Sequence, residues 1–160
     1  MESTIQHAIS LRKDGKHQEA RNILKVLLQD DNYAAKAHLQ IAWSFDNEGK
    51  EQEAVEHYRQ SLLGRLTRDE RFDALFGLAS TYRCLGEYER SLSVFEQCIK
   101  EYDNSLAIQP FYAMCLHNVG RHNEAMSLLL ELLVSTTNSK EILEYQRAIS
   151  LYAKDLDKKW

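Results

Sequence analysis

The stretch Ala79-Ser-Thr-Tyr-Arg-Cys-Leu-Gly86-Glu-Tyr-Glu-Arg-Ser-Leu-Ser-Val-Phe95 decides the fold. Ala79, Tyr82 and Leu85 recur before Gly86 at helical spacing, and Ser91, Val94, Phe95, Cys98 and Ile99 do so after it. The glycine between them allows the left-handed backbone that ends one helix and lets a second begin. Outward from Gly86 the pattern returns at Gly15, Gly49 and Gly120, with spacings of 34, 37 and 34 residues. Seven residues before each glycine stands an alanine: Ala8, Ala42, Ala79 and Ala113. Five after come Ala20, Ala54, Ser91 and Ala125. Two columns of larger residues accompany them, Leu11, Phe45, Tyr82 and Leu116, then Leu24, Tyr58, Phe95 and Leu129. The small residues mark close helix contacts, and the large ones fill the space around those contacts.

A single helical hairpin buries too little surface to stand alone, so the units must stack. The chain therefore reads as all-α, with four helix-turn-helix units over 1-34, 35-68, 69-105 and 106-137, together the segment 1-137. Ile142, Tyr145, Ile149, Tyr152 and Leu156 lie on one helical stripe, which predicts a further helix within 138-160 that covers the open end of the stack. The three extra residues of the long spacing fall between Leu63 and Phe72. Thr67 and Glu70 have capping-box spacing there, so the third unit is predicted to start afresh at Thr67. Pro110 has no N–H to give, which predicts a late start or a kink in the seventh helix.

Composition narrows the function. The 160 residues carry a net charge of -4 without a run of basic residues, which argues against a nucleic-acid binder. No apolar stretch is long enough to span a membrane, and the first residues do not form a signal peptide. Three cysteines, Cys84, Cys98 and Cys115, show no C-x-x-C spacing, which fits reduced thiols and a cytoplasmic chain.

Candidate chemistry is sparse. The six histidines form no metal-binding frame, and His117 and His122 stand on either side of Gly120 rather than on one helical face. Cys98 and Cys115 read as packed thiols, and Cys84 sits near a helix C-terminus, where a nucleophilic role is not expected. The acidic pairs Glu51/Glu53 and Glu87/Glu89 fall at helix starts, where they complement the dipole. The glycines are isolated, so there is no phosphate-cradling loop. The expectation is a chain without catalytic residues, cofactor or metal.

These columns closely resemble the tetratricopeptide repeat, over roughly residues 2 to 136. More narrowly, the chain resembles a small bacterial family of stand-alone repeat proteins that also lengthens the link between repeats two and three. The resemblance implies a right-handed α-solenoid with a capping helix. It further implies that first helices line a concave groove, through side chains ten, six and three residues before each glycine. Here these include Ile5, Leu39 and Phe76, then Ile9, Trp43 and Met114, then Arg12, Asp46, Arg83 and His117. Aromatic and aliphatic anchors with a polar rim are the composition of a binding surface. The function so implied is a protein-protein scaffold that binds an apolar or amphipathic segment. Self-association into a homodimer, through the groove or the capping helix, is the alternative. Relatives that grip acidic C-terminal tails use a cationic clamp, whereas the matching positions here hold Ile5, Ile9, Gln40, Asp73 and Gly77. An acidic tail is therefore not the expected ligand.

Overall fold

A computed structural model of the chain describes residues 1–159. The described residues form helices and turns, with no strand among them. The helices are α1 (Glu2–Lys13), α2 (His17–Leu24), α3 (Ala34–Asp46), α4 (Glu51–Leu63), α5 (Arg68–Cys84), α6 (Tyr88–Glu101), α7 (Ile108–Asn118), α8 (His122–Thr136), α9 (Lys140–Leu143) and α10 (Gln146–Ala153). A 3₁₀ turn, Lys25–Leu27, continues α2.

One turn is used four times. Gly15, Gly49, Gly86 and Gly120 all have positive φ, between 69° and 82°. In each case the residue after the glycine donates its N–H to a carbonyl five residues back, as from Lys16 to Leu11 at 2.8 Å and from Glu87 to Tyr82 at 2.9 Å. This closes the orphan carbonyls of the first helix. The capping box at the long link is also present. Glu70 N–H donates to Thr67 Oγ1 at 3.2 Å, and Thr67 N–H donates to Glu70 Oε2 at 2.8 Å. Pro110 is accommodated by a late start. Because α7 begins at Ile108, Pro110 lies in its first turn, where no intrahelical donor is needed.

Packing divides the chain into two units, Met1–Cys98 and Ile99–Trp160. In the first, α1 pairs with α2 and α3 with α4, while α1, α3 and α5 lie in succession beside one another. Ile5, Ala8, Ala20, Leu24, Leu27, Ala37 and Ile41 form one core. Leu39, Ala42, Ala54, Tyr58, Ala74, Leu78 and Tyr82 form the next. The signature residues Ala8, Ala20, Ala42, Ala54, Ala79 and Ser91 are all buried. Ser91 can replace alanine because its hydroxyl donates to the carbonyl of Ala79 at 2.7 Å, tying α6 to α5.

In the second unit α7 pairs with α8, and α10 packs on α8. Ala113 and Ala125 are buried at the expected positions, but Leu129 is exposed and does not fill a core as Leu24, Tyr58 and Phe95 do. The terminal segment is not the single continuous helix that its stripe predicts. The N–H of Tyr145 turns back to Ile142 at 3.0 Å, which ends α9, and α10 starts one residue later. Tyr145 is consequently exposed rather than part of a packed stripe, and the buried residue of α10 is Ala153. The hydroxyl of Ser127 donates to the carbonyl of Ala153, fixing α10 to α8.

Candidate functional site: the first-helix face of the first unit

The expected groove residues of this unit fall into two classes. Ile9, Trp43 and Phe76 are half-buried, as are Arg12, Asp46 and Arg83. Ile5 and Leu39 are not surface residues at all, at 3% and 1% exposed. Both belong to the cores under this face, where neighbouring helices close over them, so they cannot touch a partner. Met114 and His117 stand on α7 in the second unit, both exposed.

Trp43 is held from two sides. It packs partly against the core formed by Leu39, Ala42 and Tyr58, and the guanidinium of Arg12 lies 5.1 Å from its ring centre. This stacking fixes the indole while leaving part of it at the surface. Burial lowers the Arg12 pKa from its ordinary value, offset in part by Tyr58. Phe76 stacks on Phe72 at 5.9 Å and meets Phe95 edge-on at 6.0 Å, so its ring is also rigidly placed.

Beneath these residues lies a polar tie across three helices. The Tyr58 hydroxyl donates to Asp46 Oδ2 at 2.5 Å, and the Thr81 hydroxyl lies 3.2 Å from both Asp46 oxygens. Burial raises the Asp46 carboxyl above its ordinary value, and the hydrogen bonds from Tyr58 and Thr81 oppose that. Burial together with Asp46 raises the Tyr58 hydroxyl strongly. Asp46 is thus a structural anchor more than a rim group. Asp73 has a raised pKa as well, first from burial and then from Asp69 and Glu70.

Several polar contacts escape sequence reading. Arg21 is 3% exposed; it donates to Ser44 Oγ at 3.1 Å and to Gln18 at 2.9 Å, pairs with Glu48, and covers the Phe45 ring at 4.3 Å. His38 and His57, nineteen residues apart, bring their Nδ1 atoms to 2.8 Å. His117 and His122 do the same at 3.1 Å, because the turn at Gly120 folds one helix end onto the next helix start. Facing away in sequence therefore did not keep that pair apart. Among the described residues no three His, Cys, Asp or Glu side chains are grouped to hold a metal ion, and no helix is long and apolar enough to cross a membrane. The second unit has its own cleft of about 560 Å³, lined by Tyr112, Leu116, Leu128 and Leu156 among others.

A family model described as "Tetratrico peptide repeat" matches residues 35–156, and the chain belongs to that family. Its fold resembles that of a crystal structure of Podosopora anserina putative kinesin light chain nearly identical TPR-like repeats. The TM-score is 0.69 at 20% identity, covering 98% of this chain and 87% of that one. It also resembles a MamA RS-1 double mutant, with a TM-score of 0.68 at 15% identity, covering 99% and 97%. These neighbours place the chain in the all-α solenoid class of such repeats. A curated relative, the photosystem I assembly protein Ycf3 of Prochlorococcus marinus, is 26% identical over 102 residues. That alignment covers 63% of this chain and 55% of the relative, so the chain spans about half of that protein's length.

Proposed function

We propose that the chain is a non-catalytic scaffold that holds a segment of a partner protein on the α1–α3–α5 face. Ile9, Trp43 and Phe76 are the apolar anchors and Arg12 and Arg83 the rim. The observation that carries this reading is Trp43, an aromatic ring locked by Arg12 yet left partly at the surface of a repeat fold. The relative named for assembly of a larger complex supports a partner-holding role in general terms. Repeat boundaries at 1-34, 35-68, 69-105 and 106-137, with 138-160 as cap, are part of the same proposal.

The scale follows from area. Three half-buried side chains and an equal area of partner remove roughly 400 Å² from water, about 10 kcal/mol gross. Ordering the segment and losing its translational freedom leave micromolar affinity as the expected order. The test is capture from native-host extract with the wild-type chain and with Trp43→Ala, compared by mass spectrometry, with circular dichroism to show the variant folded. Proteins retained by the first and lost by the second support the reading. An unchanged set retained by both sinks it.

A second reading is favoured by α8, where Met126, Leu129 and Leu133 are exposed along one helical stripe. Such a stripe suits self-association. Light scattering across concentrations, with Leu129→Glu as control, separates the two. A concentration-independent monomer removes the second reading.

A further inference from the structure

Three residues before and two after the turn glycines stand Arg12 and His17, Asp46 and Glu51, Arg83 and Tyr88, and, in the fourth repeat, two imidazoles, His117 and His122. The turn between these two is fixed by its backbone. Gly120 has φ 82°, its N–H donates to the carbonyl of His117 at 3.1 Å, and the N–H of Arg121 donates to that of Leu116 at 2.9 Å. The two Nδ1 atoms stand 3.1 Å apart, with ring centres at 4.6 Å and planes inclined by 57°. Both side chains are exposed. No helical spacing predicts this pair, because a turn joins it and not one face of a helix.

That separation suits a chelate. Two imidazole nitrogens bound at about 2.0–2.1 Å to one metal ion lie about 2.9 Å apart at a right angle and about 3.3 Å apart at the tetrahedral angle. One Nδ1 carries a proton to hydrogen-bond to the other. Moving that proton to Nε2 of the same ring frees both Nδ1 lone pairs without changing the charge of either ring. The surrounding charge does not oppose a cation. Arg121 is matched by Glu124 through bonds of 2.6 and 2.7 Å. The last turn of α7, which holds His117, favours a cation, and the first turn of α8, which holds His122, disfavours one, so the two helix ends offset each other. His38 and His57 approach similarly, at 2.8 Å, but both are half-buried. His57 also lines a small cleft with Arg21 and Lys25, whose charges repel a metal ion.

We propose that His117 and His122 form a chelating site for a divalent late transition-metal ion, held through both Nδ1 atoms with water in the remaining positions. Imidazole suits copper, nickel and zinc, whereas magnesium and calcium prefer oxygen ligands. Among the described residues no group of three His, Cys, Asp or Glu forms, so the ion keeps exchangeable positions open to water or to a further ligand. Binding ties the end of α7 to the start of α8. The site belongs to the second unit and does not depend on the groove reading.

The test titrates nickel(II) into the full chain, made without a histidine tag and as Cys84→Ser, so that the exposed thiol does not compete. Calorimetry should show one ion per chain. His117→Gln and His122→Gln should each weaken binding by about a hundredfold, the advantage that a second linked ligand confers. His38→Gln should leave it unchanged. Because His117 and His122 are exposed, both variants should fold, which circular dichroism checks. Nickel(II) should raise the Tm of the parent and of neither variant, since an ion held by the folded state stabilises it. Copper(II) should bind more tightly than nickel(II), and magnesium should not compete. No binding at millimolar nickel(II) overturns the proposal. A small, equal loss in each variant also overturns it, as the mark of two rings acting independently. So does a loss caused by His38→Gln in place of His117→Gln and His122→Gln.

Discussion

The ring of Tyr58 occupies the space where a side chain on Gly77 would begin: a Cβ there would lie 2.5 Å from Tyr58 Cε1 and 2.7 Å from its hydroxyl oxygen. Gly77 is a helical residue of α5, and Tyr58 is fully buried on α4 with its hydroxyl committed to Asp46. Neither side can give way without breaking the tie that joins α3, α4 and α5. Gly77→Ala is therefore expected to destabilise by about 1–3 kcal/mol through overpacking, despite alanine's better helix propensity. Urea denaturation measures this. A second change, Tyr58→Leu, which vacates the clash, should make the alanine less harmful than it is alone.

Arg21 should matter more than its partner Glu48. The guanidinium is buried and bonds to Ser44 and Gln18 as well, whereas Glu48 is exposed. Arg21→Ala is expected to cost about 2–4 kcal/mol, since it removes packing over Phe45 and several charge-assisted bonds. Glu48→Gln should cost far less than that, because water screens that side of the pair. Equal losses in paired urea titrations would show that the ion pair, not the buried guanidinium, carries the stability.

Stability should fall with acid between about pH 6.5 and 4. Burial, then the neighbouring His38, push the His57 pKa down to about 4, with Glu56 opposing, and burial also lowers that of His38. Between those limits the unfolded chain binds protons that the folded chain refuses, so the folded state loses ground as pH drops and the loss levels off below the folded pKa. Both rings are only half-buried, so the size is on the order of 1 kcal/mol, about 2–4 °C in Tm. His57→Gln should flatten the Tm profile in this window. Asp46 and Asp73 have raised pKa values and act in the opposite sense, so the variant is what isolates the histidines.

The thiols should separate by accessibility. Cys84 is exposed at the end of α5, while Cys98 and Cys115 are buried. A thiol reagent is expected to modify Cys84 rapidly in the native chain and the other two only on unfolding. Cys84→Ser should change stability by less than about 0.5 kcal/mol, as surface changes usually do. Cys98→Ser should cost more, because that side chain is fully buried. Rapid native modification of all three would contradict this packing.

Much of the fold is legible in the sequence because the repeat constrains backbone and packing together. The four glycines, the alanine columns and the Thr67–Glu70 box each state a local requirement that no tertiary context overrides. The site is less legible. Ile5, Leu39 and Phe76 share one column, yet the first two are core and the third is half-buried. First helices pack on several sides, so one period describes core and surface alike, and only the closeness of neighbouring helices separates them. Arg21 with Ser44 and His38 with His57 join different helices, 23 and 19 residues apart, and no short-range pattern encodes such meetings.

The open surroundings of the turn glycines bear on how such a chain changes over generations. A Cβ on Gly15, Gly49, Gly86 or Gly120 would meet nothing within 4 Å, so substitution there is opposed by backbone strain alone. Asn tolerates that backbone at modest cost. Gly77, which belongs to no repeat column, is opposed by the buried ring of Tyr58 instead. Drift among descendants should therefore wear the signature glycines toward Asn while leaving Gly77 in place, and the repeat would fade from the sequence sooner than from the fold.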